Sequence, residues 1–216
     1  MQRPNHILPV IVLSQFAGTS LWFSGNAILP EISKTFQLQQ GALALVTSSV
    51  LIGFITGTFV YAVFAIADRF KPSVIFFLSA VLAALANLII LLPHLQITSL
   101  LLSRFLVGFF LAGIYPVGMK IAAEWYEKGL GKALGYLVGA LVLGTAFPHL
   151  LKQSGWEYDW RVVLLMTSSF ATIGGLVIVL FIKRGPFAKT SLHYSFTAFQ
   201  QSFRFADFRA ASFGYF

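Results

Sequence analysis

The chain has 216 residues, of which 57% are hydrophobic and only 10% charged, with a mean hydropathy of +0.82. A water-soluble domain of this size would need about 45–50% apolar and about 25% charged residues, so a soluble globule is excluded and lipid is the fitting solvent. The formal net charge of +8 falls in joints between apolar runs rather than in a basic stripe with interleaved aromatics, so nucleic acid is not an expected partner, and the lack of cysteine excludes disulfides and thiolate metal sites.

A bilayer core about 30 Å thick needs about 20 apolar residues as helix. Six runs meet that length, at Ile7–Leu29, Gly41–Ile66, Val74–Leu92, Ile97–Ile121, Ala133–Leu151 and Val162–Ile182. They are too long and too uniformly apolar for barrel strands, which alternate in polarity over about 10 residues. The first run is also too long for the apolar core of a signal peptide.

The first span is the most polar. Gln15, Thr19, Trp22 and Asn26 follow one helical face, and Ser14, Ser20 and Ser24 lie nearby. Such a stripe can line a substrate path, or can hydrogen-bond to neighbouring helices. The second span carries Gly53 and Gly57, a spacing that permits close helix approach, and the fifth repeats it with Gly135 and Gly139.

Between spans two and three stands Ala67-Asp68-Arg69-Phe70-Lys71-Pro72-Ser73. No charge falls between Lys34 and Asp68, or between Lys71 and Arg104. Arg69 and Lys71 fit a cytoplasmic hairpin under the positive-inside rule, whereas Asp68 does not contribute to that rule. Pro72 suits the first position of the next helix.

The fourth span contains Arg104, the one ionised residue well inside any span. An arginine at that depth costs a few kcal/mol and marks a functional position by default. It could bind an anionic substrate, couple to protonation elsewhere, or snorkel to the headgroups along its stem. Tyr115 and Pro116 lie in the same span at an expected proline bend.

The joint before span five reads Ala123-Glu124-Trp125-Tyr126-Glu127-Lys128-Gly129, and span six opens with Trp160-Arg161. Trp156, Tyr158 and Trp160 suit a membrane interface. Beyond Ile182, Leu192, Phe196, Phe199 and Phe203 recur at helical spacing. A cytoplasmic linker over 185–208, amphipathic or simply packed by its phenylalanines, is expected there. Residues 209–216 read as the start of a seventh span.

With the N-terminus inside, eleven basic residues fall on the cytoplasmic side (Arg3, Arg69, Lys71, Lys120, Lys128, Lys132, Lys183, Arg184, Lys189, Arg204, Arg209). Four (Lys34, Arg104, Lys152, Arg161) fall on or near the other. Both ends of the six-span unit are therefore expected in the cytoplasm. A shift of 86 residues carries Pro30 onto Pro116, Lys34 onto Lys120, span two onto span five and span three onto span six. A three-span unit is odd-numbered, so its second copy is inverted in the membrane.

These features resemble the major facilitator superfamily of secondary transporters. Ala67-Asp68-Arg69 matches the family's loop between helices two and three, where Phe64, Lys71 and Pro72-Ser73 depart from it. Arg104 to Gly113 is similar to its Arg-x-x-x-Gly pattern in helix four, and Ala123 to Gly139 to its entry into helix five. The resemblance runs from about residue 10 to 184 and implies half of that fold, an all-α membrane protein of six transmembrane helices as a 3+3 inverted repeat. It implies a secondary active transporter of a small solute, with alternating access and a gradient as energy source. It also implies a cytoplasmic gate of Asp68, Arg69, Glu124 and Lys128, and a cavity wall drawn from helices one and four: Gln15, Thr19, Trp22, Asn26, Arg104 and Tyr115. The expected partners are the bilayer, a small-molecule substrate that Arg104 would suit to negative charge, and a second half or second copy. The expected place is a plasma or inner membrane.

Other classes are less well supplied. No His-Glu-x-x-His, P-loop or dinucleotide glycine pattern occurs, so neither an enzyme nor a cofactor is expected. Phe23-Ser24-Gly25 with His149 could suggest an intramembrane serine protease, but Trp22 stands where a Gly-x-Ser-Gly context needs glycine. A non-transporting sensor or assembly protein on the same half-fold is the other alternative.

Overall fold

A computed structural model describes residues 4–36, 41–93, 96–153, 159–188 and 204–205. Among them, all regular structure is helical. Span one is α1 (Ile7–Thr19) followed by α2 (Ser24–Phe36). Span two is α3 (Ala42–Val63), and a single turn, α4 (Ile66–Arg69), follows it. Span three is α5 (Pro72–Leu88), extended by a 3-10 turn over Ile89–Leu91. Span four is α6 (Ile97–Leu111) and α7 (Tyr115–Trp125), span five α8 (Leu130–Gln153), and span six α9 (Trp160–Phe181). These make six helical runs long and apolar enough to cross a membrane. The Trp156–Tyr158 stretch, the linker stripe at Leu192–Phe203 and residues 209–216 lie outside the described residues.

The neighbours obey a twofold rule. α3 packs along α6 as α1 packs along α8, and α5 packs on α6 as α9 packs on α1. α5 and α9 pack on each other. Exchanging span one with four, two with five and three with six maps this set onto itself, which is the packing an inverted triplet repeat requires. The 86-residue shift brings Ala42 within two residues of Leu130, and Pro72 within two of Trp160.

Close approach depends on glycine at specific places. A Cβ on Gly53, Gly57 or Gly108 would run into the backbone of Phe105, Phe109 or Val50, so the α3–α6 seam is closed by small residues as the sequence suggests. The matching α1–α8 seam differs from expectation. Gly135 and Gly139 are exposed and meet nothing, while Gly144 approaches Phe16 and Thr19. The i, i+4 pair is real in sequence but points away from α1, because the buried face of α8 runs through Ala133, Leu137, Ala140, Gly144 and Pro148.

Span two ends earlier than its apolar run to Ile66: the α3 helix stops at Val63, Ala65 takes a left-handed conformation (φ 48°), and Asp68 lies on the separate turn α4.

Two apolar clusters fill the bundle. One gathers Ile11, Leu21, Phe76, Val107, Leu111, Ile114 and Ala171. The other gathers Ile28, Ile32, Ile90, Leu100, Val163 and Leu164. Spans two and five expose apolar side chains outward, including Ile52, Ile55 and Phe59 on α3 and Val142, Leu143 and Leu150 on α8.

Candidate functional site

A buried polar layer separates the two apolar clusters. In each of four spans, its residues stand between a member of one cluster and a member of the other: Ser24 between Leu21 and Ile28, and Asn87 between Ala86 and Ile90. Arg104 likewise stands between Leu100 and Val107, and Thr167 and Ser168 between Leu164 and Ala171.

Arg104 is 0% exposed, so it does not snorkel. Its NH1 donates to Asn87 Oδ1 at 2.9 Å and Ser24 Oγ at 3.3 Å, and its NH2 donates to the carbonyls of Leu21 and Trp22 at 2.8 Å each. No carboxylate forms a salt bridge with it among the described residues. Oxygens alone surround this cation, and two of them belong to the chain just past the C-terminus of α1, where the helix dipole is negative. A Cβ on Gly25 would strike the Arg104 side chain, so glycine makes room for it.

The carbonyls are available because span one is broken over Ser20–Phe23. Thr19 Oγ1 donates to Gln15 O at 2.8 Å and Ser20 Oγ to Ala17 O at 2.7 Å. Hydroxyl back-bonding of this kind bends helices. Span four is broken over Ala112–Ile114, where Pro116 has no N–H to offer Ala112 O and its ring excludes that carbonyl. The two broken spans meet: a Cβ on Gly18 would fall on Ile114.

The proposed cavity residues divide. Gln15 and Thr19 are fully buried inside the bundle, and both amide atoms of Gln15 lack a hydrogen-bond partner. They present no surface in this conformation, because both sit on the buried face of α1. Trp22, Asn26 and Tyr115 keep partial exposure. Trp22 lies against Phe54, with ring centroids 4.9 Å apart, and Asn26 Nδ2 donates to Thr47 Oγ1 at 2.8 Å.

The second constellation lies where spans two and four end, on the face bearing the chain's N-terminus. Asp68 pairs with Lys120. Asp68, Lys120, Glu124 and Glu127 line a recess of about 690 Å³ that Pro186 and Phe187 help to close. Glu124 is buried; its Oε2 accepts from Gly185 N at 3.4 Å, and its carbonyl accepts from Phe187 N at 3.0 Å. Trp125 Nε1 donates to Lys183 O at 3.1 Å. The chain leaving span six is thus fastened to the end of span four. Of the four expected gate residues, Asp68 and Glu124 share the recess. Arg69 is exposed, and Lys128 is exposed in a separate groove beside Leu8 and Tyr136. Lys128 is carried away because α7 ends at Trp125 and the chain turns at Gly129 (φ 77°). On the opposite face Glu31 pairs with Lys152, joining spans one and five.

Sequence reasoning missed Asn87, Ser103, Thr167, Ser168 and the role of Lys120. Asn87 carried a signal, as the one side-chain amide within the apolar runs of spans two to six. The Ser24 hydroxyl donates to Asn87 Oδ1 at 2.7 Å rather than to His149, whose ring lies 6.2 Å from that of Phe23, so no serine–histidine pair is assembled.

Sequence comparison with characterised proteins gives no match. A solved structure of a bacterial homologue of the human lysosomal transporter Spinster, in an inward-facing and occupied conformation, superimposes with a TM-score of 0.64 at 18% identity. It covers 89% of this chain and 47% of that one, so this chain spans about half its length. At that identity the likeness is one of fold. The family profile of the Major Facilitator Superfamily matches residues 11–205. This match covers most of the chain and agrees with six membrane-length helices in a repeated triplet: the chain is a multi-pass integral membrane protein and belongs to the major facilitator superfamily.

Proposed function

We propose that the chain is one half of a secondary active transporter, which moves a small solute by alternating access and draws its energy from an ion or solute gradient. The observation that carries this reading is the pair of discontinuous spans, one and four: Gly18, just before the break in span one, packs on Ile114 in the break of span four, and the buried Arg104 of span four holds the carbonyls freed in span one. Broken helices near mid-membrane are how transporters expose backbone dipoles to a substrate without exposing them to lipid. Trp22, Asn26 and Tyr115 would form the exposed wall. Arg104 would supply a fixed positive field behind it, which favours an anionic solute. Gln15 and Thr19 would reach the path only if span one turns during the cycle.

The outward apolar faces of spans two and five suit a second half or a second copy. Eleven of the 15 basic residues favour placing the N-terminal face in the cytoplasm of a plasma or inner membrane. The Asp68–Lys120 pair and the Glu124 recess would then form one side of the cytoplasmic gate. Residues 185–208 would form a cytoplasmic linker, and 209–216 the start of a seventh span.

Uptake of a panel of small labelled anions into proteoliposomes tests the reading. Arg104→Ala should abolish uptake of any solute the parent carries while membrane insertion persists. Normal uptake by that variant would remove Arg104 from the mechanism.

A further inference from the structure

We propose that Asn87 is the positioning residue for Arg104, and that through Arg104 it sets the geometry of the break in span one. The proposal rests on the reading of that break as part of the substrate path. Asn87 is 0% exposed, and its hydrogen bonds reach spans one, four and six from span three. Its Oδ1 accepts from Ser24 Oγ at 2.7 Å and from Arg104 NH1 at 2.9 Å. Its Nδ2 donates to Ser168 Oγ at 3.0 Å and to Thr167 Oγ1 at 3.4 Å.

The direction of the amide follows from its neighbours. The Thr167 hydroxyl proton goes to Val163 O at 2.8 Å and that of Ser168 to Ala84 O at 3.4 Å, so both oxygens are left as acceptors facing Asn87. Span six therefore takes the NH2 group, and the carbonyl oxygen must face Arg104. A flipped amide would set NH2 against the guanidinium, donor against donor. With NH1 held by Asn87 and Ser24, the planar fork turns NH2 onto Leu21 O and Trp22 O. A guanidinium is rigid and planar, so fixing one arm fixes the other. Asn87 thus transmits the position of the α5–α9 pair, which lies on the repeat axis, to the break in span one.

The test needs no substrate, so its failure and the failure of the transport reading are separable. The 216 residues contain no cysteine, which makes single-cysteine reporters direct. Phe23→Cys places a reporter in the break, and Ala133→Cys, buried at the start of α8, serves as control. Each is labelled with N-ethylmaleimide in membranes holding the full-length protein. Asn87→Leu removes a hydrogen bond to a charged group and should speed labelling at Phe23→Cys by about tenfold, with little change at Ala133→Cys. Asn87→Asp keeps an acceptor oxygen towards Arg104 and should restore the slow rate. The Thr167→Ala/Ser168→Ala pair leaves Asn87 and Arg104 in place but frees the amide to turn, and should give about a threefold rise. The proposal is overturned if Asn87→Leu labels at the parental rate, if both reporters accelerate together, or if Asn87→Asp labels as fast as Asn87→Leu. Should Asn87→Leu fail to accumulate, the Thr167/Ser168 variant carries the test, and an unchanged rate there overturns it.

Discussion

Spans one and four hold equivalent places in the two repeats, and both are broken, but by different chemistry. In span four the cause is local: Pro116 interrupts the ladder, and Gly113 N and Ile114 N fall back to i−3 bonds with Phe110 O and Leu111 O. In span one no proline stands at the break, since Pro30 lies inside α2 well beyond it. There, hydroxyls weaken the ladder, and an arginine from the other repeat takes the freed carbonyls. One break is built into the chain, whereas the other also draws on contacts made only in the assembled bundle. A break held by tertiary contacts can be released by moving a neighbour, so span one is the better element for a conformational change.

The contrast has consequences that can be measured. Arg104→Ala should have the largest effect. It leaves Asn87 Oδ1, Leu21 O and Trp22 O short of a buried donor, so it should lower stability by about 3 kcal/mol in detergent melts. Backbone hydrogen exchange should rise at residues 20–24 and stay as before at 112–114. Equal rises in both would erase the distinction between the breaks. Pro116→Ala should do the reverse. It restores a donor and should slow exchange over 112–115, with a stability change under about 1 kcal/mol, because the proline already sits in the tolerated first turn of α7.

The repeats correspond at their ends with the charges exchanged: Asp68, on the turn after span two, pairs with Lys120 of span four on one face, and Lys152 of span five pairs with Glu31 of span one on the other. Both pairs are partly exposed, so Asp68→Asn should change stability by less than about 1 kcal/mol. It should nevertheless slow the transport cycle at near-normal substrate affinity, and unchanged turnover would leave the pair with an orienting role alone. The smallest effect concerns helix starts. α5 opens on Pro72 with no side-chain cap, whereas Asp159 caps α9 by accepting from Arg161 N at 3.0 Å. That backbone hydrogen bond, with Arg161's charge, lowers the Asp159 carboxyl below its ordinary range. A depressed carboxyl stabilises the fold above its unfolded value of about 3.9, and that contribution is lost as pH falls through the lower folded value. Acid melts of Asp159→Asn and the parent should therefore converge only below about pH 3.9.

Much of this was legible in the sequence, and the remainder has physical reasons for being hidden. Apolar run length shows the six spans, because bilayer thickness sets their length, and the 86-residue rhythm of those spans shows the repeat. Pro116 announces its own break. The depth of Arg104 marks it, but its partners come from two other spans, one and three, and no spacing rule joins Ser24, Asn87 and Arg104. Gly135 and Gly139 share the spacing of Gly53 and Gly57, yet which face of a uniformly apolar helix turns inward is decided by its neighbours. Lys128 follows Glu124 by one helical turn in sequence, but α7 has already ended at Trp125, so the two part.

The most direct test of alternating access about these broken spans is the two-sided accessibility of Tyr115, which is partly exposed beside the break in span four. A Tyr115→Cys variant of the full-length protein, in sealed vesicles, would be exposed to a membrane-impermeant maleimide from one side and then, in a separate preparation, from the other. Labelling from both sides, in vesicles shown to be intact, is the result predicted. Labelling from one side only, under every gradient applied, would contradict it.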